Sequence, residues 1–190
     1  MFDRVTNDIL CDKVIIDDKY AAYEAVQSLI DKGRKKIALV TTVDYVSVGK
    51  LRTDGYTKAL LDNGIPFNED LIIKIEDIDT CEITIGKLLE DKAIDAVFAV
   101  NELFAVTIIK TANKIGLNVP NDLAVIAFTD GIISKYSTPT ITTVSQSGIK
   151  MGNKAAKMLI ERLESEEDEE DENYKTEVIE THLIERESTN

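Results

Sequence analysis

The sequence predicts an α/β fold built on a doubly wound parallel sheet, and three observations carry that reading. Apolar runs of strand length recur along the chain: Ile37-Ala38-Leu39-Val40, Ala96-Val97-Phe98-Ala99-Val100 and residues 123–128. Each of the first two is followed by a segment with helical spacing. The runs do not alternate with polar residues, so both faces of each strand must be shielded, as in parallel sheets covered by helices. Right-handed crossovers then place helices on both faces and leave binding sites at the carboxyl ends of the strands.

Val14-Ile15-Ile16 opens the series of elements. Over residues 18–32, Ala22, Ala25, Val26, Leu29 and Ile30 share a helical face, with Asp17 or Asp18 available as cap and Gly33 as stop. The strand Ile37-Ala38-Leu39-Val40 leads to a helix over about residues 49–63. Leu71-Ile72-Ile73-Lys74-Ile75 leads to a helix opened by Thr80. The strand ending at Val100 leads to a helix over residues 102–115, stopped by Gly116, and residues 123–128 close the alternation. The carboxyl ends fall at residues 43–48 and 76–79, at Asn101 and at Thr129-Asp130. A further helix spans residues 148–163, with Ile149, Gly152, Ala156, Leu159, Ile160 and Leu163 on one face. Residues 164–175 are an acidic run that reads as a solvated loop rather than a calcium site, since it lacks the glycine spacing of such loops. Residues 176–187 alternate apolar with charged side chains and read as one final strand.

The 35 acidic and 22 basic residues give a net charge of −13, which argues against the chain binding nucleic acid by itself. The basic cluster at residues 32–36 sits where a helix ends, so it reads as complementing the helix dipole. The apolar runs are too short to span a bilayer and no leader is evident, so a cytoplasmic protein without membrane contact is expected. Cys11 and Cys81 read as free thiols.

Enzymatic readings find little support. The chain has no glycine-rich dinucleotide loop, no phosphate-cradling loop and no nucleophile elbow. His182, the sole histidine, reads as structural, and no catalytic residue, metal site or cofactor is assigned. Arg52 stands out as a cation in the expected first turn of a helix, where the dipole disfavours it. It is either a surface arginine or a planar fork for paired hydroxyls or a carboxylate. Asn101 ends a buried strand, where it can cap the next helix, read a ligand hydroxyl, or do both.

Five blocks in order resemble the effector-binding core of the LacI/GalR family of bacterial transcriptional regulators. They are Gly33-Arg34-Lys35-Lys36-Ile37-Ala38, Arg52-Thr53-Asp54-Gly55-Tyr56-Thr57-Lys58-Ala59-Leu60, the strand ending in Asn101-Glu102, Val119-Pro120-Asn121-Asp122 through Phe128, and the crossover from Pro139 to Gln146 with Met151-Gly152. The resemblance implies a periplasmic-binding-protein-like lobe in which Arg52 and Asn101 hold the effector. The family's third anchor, an aspartate, is replaced by Thr129 with Asp130 next to it, so the ligand is expected to be less hydroxylated than a typical sugar, or anionic. Ala127 and Glu102 also depart from the family's glycine and aspartate. Asp3, Ser47 and Gln146 are further candidates for the cleft, and the family's aromatic stacking position falls near Ile78.

The same resemblance implies an organisation. Residues 1–11 read as a remnant of an N-terminal lobe and hinge, 12–138 as the C-terminal effector-binding lobe and 139–147 as the hinge crossover. Residues 148–163 are then a helix of the N-terminal lobe, 164–175 the acidic loop, and 176–190 the final strand and tail. The expected function is sensing of a sugar-like small-molecule effector, without enzymatic activity. Control of operator DNA would run only through a helix-turn-helix domain that this chain lacks. The alternative is an extracytoplasmic sugar-binding protein of a transporter. A homodimer is expected, because Leu103 and Val106 give the helix over 102–115 a second apolar stripe directed away from the sheet.

Overall fold

Small and β-branched residues dominate the central strands, and the computed structural model buries them on both faces. It describes residues 1–6, 8–42, 47–164 and 173–190, without the side chains of 47, 91 and 92. In chain order, β1 (Lys13–Ile16) leads to α1 (Asp18–Asp31), β2 (Ile37–Thr42) to α2 (Ser47–Asp62), and β3 (Ile72–Ile75) to α3 (Cys81–Lys92). Then β4 (Ala96–Ala99) leads to α4 (Glu102–Lys114), β5 (Ala124–Phe128) to α5 (Ile132–Tyr136), and β6 (Thr142–Ser145) to α6 (Gly148–Glu164). The strands β7 (Thr176–Ile179) and β8 (His182–Ile184) follow.

Among the described residues the main sheet runs β3-β2-β4-β5-β6-β8, parallel throughout except for the antiparallel β6–β8 edge. Every residue of β4 and β5 is buried. From β2 the chain moves outward to β3, then returns to place β4 on the other side of β2. Crossovers of one hand in opposite directions put helices on opposite faces, and α1 packs on α2 while α3 packs on α4. The doubly wound α/β fold is therefore present, with its switch point between β2 and β4.

Local chemistry explains the helix limits. The Asp17 carboxylate accepts from the Tyr20 amide at 2.9 Å and caps α1, and Gly33 at φ +86° takes the left-handed conformation that ends it. Asn101 caps α4 in the same way, through the Phe104 amide at 2.8 Å. Gly55 permits the close α1–α2 crossing: a Cβ there would lie 2.8 Å from the Ala22 Cβ and would also collide with the Lys19 carbonyl.

Three expectations need correction. Val14-Ile15-Ile16 does not join the main sheet; β1 pairs with β7 in a separate two-stranded sheet. The final segment is not one strand, because it leaves β1 after Ile179 and joins β6 from His182 onward, changing sheets across Glu180-Thr181. Beyond β8, Ser188 is fully buried and exchanges bonds with Val125 and Thr140, so the tail is laced into the sheet. The basic cluster does not serve the α1 dipole, since no base lies in the last turn of α1. Instead Arg34 donates to the Pro120 and Asn121 carbonyls, and Lys32 pairs with Glu185. The helix α5, five residues long, is an element that the apolar pattern does not predict. Most of the acidic run, and residues 43–46 of one expected strand end, lie outside the described residues.

In α6, Met151 and Met158 are buried, and the helix packs on β1. The face formed by Ile149, Leu159, Ile160 and Leu163 is exposed. No helix among the described residues is long and apolar enough to cross a membrane.

Candidate functional site

Reversal of strand order leaves a crevice between the carboxyl ends of β2 and β4, where no connection crosses. A cavity of about 190 Å³ opens there, and Asp3, Arg52, Asn101, Thr129 and Gln146 line it together with Thr42. The candidates drawn from the sequence thus converge, apart from Ser47, which starts α2 but whose side chain lies outside the described residues. A shallower recess of about 540 Å³ adjoins this cavity and shares Thr42, Asn101 and Thr129. Its remaining lining includes Ile75, Ile78, Leu103, Phe104 and Ile133. A groove of about 560 Å³ between α1 and the β7–β8 crossing contains none of the candidate residues. Volume alone would point there, but convergent polar groups at the strand ends are the stronger indication.

Arg52 lies in the second turn of α2, not the first, because the helix begins at Ser47. Its position follows from a buried partner rather than from the helix dipole. Nε donates to the Asp18 carboxylate at 2.8 Å, Nη1 donates to the Val100 carbonyl at 3.0 Å, and the guanidinium stacks 3.6 Å from the Phe128 ring centroid. Both charges are nearly out of solvent, and burial is the larger influence on each. It pushes the Asp18 carboxyl above its ordinary range despite Arg52, and it lowers the Arg52 guanidinium despite Asp18. Asp18 escaped the sequence reading because it looked like a cap. The signal was present in principle, since one aspartate suffices to cap a helix and here two stand in tandem.

Thr129 follows β5 at φ +78°, a conformation that is strained for a β-branched residue. Its amide donates to the Val144 carbonyl at 2.9 Å, and its hydroxyl donates to Gln146 Oε1 at 3.0 Å. Asp130 is drawn away from the cavity. It accepts from Arg186 at 2.6 Å and Thr143 at 3.0 Å, with Lys135 at 3.3 Å. Burial alone would raise its carboxyl, but these donors together hold it below the usual range. Glu102 is likewise engaged, accepting from the Gly131 and Ser134 amides at 2.7 and 2.9 Å and so fixing the turn after Thr129 onto the start of α4. Among the described residues no three His, Cys, Asp or Glu side chains converge as metal ligands do.

The sequence pattern of the periplasmic binding protein-like domain matches residues 26–189. The chain belongs to this family. Within the periplasmic binding protein-like family, this chain is 35% identical over 175 residues to the HTH-type transcriptional regulator MalR of Clostridium butyricum. That stretch is 91% of this chain and 51% of MalR. A solved complex of the transcriptional regulator CelR with cellobiose superimposes with a TM-score of 0.88 at 29% identity, over 98% of this chain and 57% of that one. A LacI-family regulator from Sanguibacter keddieii gives a TM-score of 0.86 at 28% identity, over 93% and 68%. The resemblance to the LacI/GalR regulators is thus met in both sequence and fold. The chain spans about half the length of the curated relatives it matches.

Proposed function

We propose that this chain is the ligand-sensing lobe of a bacterial transcriptional regulator of the LacI type, responding to a sugar-like effector and having no enzymatic activity of its own. The observation that carries the reading is the convergence of Asp3, Arg52, Asn101, Thr129 and Gln146 on one cavity at the switch point. MalR and CelR, as regulators, favour this over a transporter's binding protein, and CelR's cellobiose favours a sugar. Operator DNA would be read by a separate helix-turn-helix domain, in the cytoplasm, because the charge of −13 suits this chain poorly to phosphate contact. A homodimer fits the exposed Leu103 and half-buried Val106 on α4. Light scattering should then show a mass of twice the chain at micromolar concentration, and a strictly monomeric mass would exclude it.

The effector site is tested with a variant that separates binding from folding. Serine is as good a helix cap as asparagine, so Asn101→Ser preserves α4 while removing the amide donors from the cavity. Calorimetry against a panel of neutral and acidic mono- and disaccharides, on the protein in the full length in which it is encoded, identifies ligands. For each of these, Asn101→Ser should weaken binding tenfold or more with an unchanged thermal midpoint. Equal affinity in the variant would remove Asn101 from the site.

A further inference from the structure

Three side chains that line this cavity keep amide or guanidinium donors without acceptors among the described residues. The carboxamide oxygen of Asn101 is occupied by the Phe104 amide, and its Nδ2 has no acceptor among the described residues. Gln146 is oriented by the Thr129 hydroxyl on Oε1, which leaves its Nε2 in the same condition. Arg52 commits Nε and Nη1 to Asp18 and Val100, while Nη2 has no acceptor among the described residues.

The carboxylates that could have balanced these donors are engaged elsewhere: Asp18 by Arg52, Asp130 by Arg186, and Glu102 by the turn at Gly131. Two helices also begin at the cavity, α2 beside Gly49 and α4 at Asn101, and both present their positive ends to it. The one lining carboxylate is Asp3, whose charge acts on Arg52 more strongly than that of the neighbouring Arg4. A ligand that fits this wall must supply acceptor oxygens to it and hydroxyl donors to Asp3. The net charge of −13 does not oppose an anion here, because distant charges are screened beyond about 8 Å at physiological salt.

We propose that the cavity holds the oxyanion of an acidic sugar derivative, a carboxylate or a phosphate, on Asn101 Nδ2, Gln146 Nε2 and Arg52 Nη2. Thr129 sets the preference, because a neutral hydroxyl stands where a carboxylate would repel the anion. The inference rests on the cleft being an effector site for sugars.

The test is calorimetry on the full-length protein with glucose and cellobiose as neutral ligands, glucuronate as the carboxylate and glucose 6-phosphate as the phosphate. At least one acid should bind ten times more tightly than both neutral sugars, and whichever arm binds names the oxyanion. Thr129→Asp keeps a residue that tolerates positive φ. It should weaken the acid tenfold and tighten the neutral sugars, with circular dichroism unchanged. Thr129→Ser, which keeps the hydroxyl, should leave the acid preference in place. Neutral sugars binding as tightly as the acids, or an acid-to-neutral ratio unmoved by Thr129→Asp, overturns the proposal and leaves sugar sensing standing. Binding of none of the four overturns both.

Discussion

Asp18 and Arg52 face each other with side chains only 5% and 9% exposed, so neither charge has water to fall back on. Replacing one partner of such a pair strands the other, at a cost of about 3–5 kcal/mol. Asp18→Ala should therefore lower the stability measured by urea denaturation by that order. Asp18→Ala with Arg52→Ala should destabilise by clearly less than the sum of the single changes, and strict additivity would show the pair to be uncoupled. The two carboxylates near the site also respond to pH with opposite signs. The Asp18 carboxyl is raised on folding, so its contribution declines as pH rises above the unfolded carboxylate range. The Asp130 carboxyl is lowered on folding, so its contribution is present above that range and is lost as pH falls through the folded value. Asp130→Asn should accordingly flatten the loss of stability as pH falls below the ordinary carboxylate range of about 4, and an unchanged acid slope would contradict the Arg186 assignment. Asn101 was legible because it completes a local rule, a cap at the end of a buried strand. Arg52 lies in the second turn rather than the first, so the helix dipole does not single it out, and only the block it shares with the LacI/GalR pattern pointed to it. Asp18 was not legible, since its partner lies 34 residues away and only the α1–α2 crossing brings them together.

The turn after β5 shows how one element positions another. Glu102 reaches from the start of α4 to the Gly131 and Ser134 amides, and a Cβ on residue 131 would collide with that carboxylate. Gly131→Ala should push the carboxylate aside and forfeit hydrogen bonds to a charged group, each worth roughly 1.5–3 kcal/mol. If the carboxylate is the reason, Gly131→Ala should destabilise far less in a Glu102→Ala background, as read from a double-mutant cycle in denaturant. Equal losses in both backgrounds would place the strain elsewhere. The sequence did not disclose α5, because five residues are too few to establish a helical period. The resemblance placed Thr129 rather than Asp130 at the cavity, but nothing local in the sequence gives the reason. That choice is made by the left-handed backbone at Thr129, with Arg186 holding Asp130 from 56 residues along the chain. The break at Glu180-Thr181 was hidden for a related reason: the alternation of side chains continues across it while the pairing partner changes from β1 to β6.

At the scale of the molecule, the doubly wound sheet was readable because burial on both faces writes uninterrupted apolar runs, whereas the small β1–β7 sheet depends on pairing between residues far apart in the chain. The helix beside it divides its apolar residues between two fates. Met151 and Met158 are 3% and 7% exposed, Met158 beside Val14 of β1, while Ile149 and Leu163 are 84% and 76% exposed. Their sequence period is the same, so only the packing separates them. Removing a buried methionine side chain costs about 2–5 kcal/mol through lost transfer energy and the cavity left behind. Replacing an exposed apolar residue by a polar one of similar size changes stability by less than about 0.5 kcal/mol. Met158→Ala should therefore shift the urea midpoint strongly. Leu159→Gln with Leu163→Gln should leave the midpoint where it was and, by removing a contiguous apolar patch, lower association at high concentration in light scattering. A midpoint that falls as far for the glutamine pair as for Met158→Ala would mean that the outer face of α6 is packed in solution and that the helix is seated differently on β1.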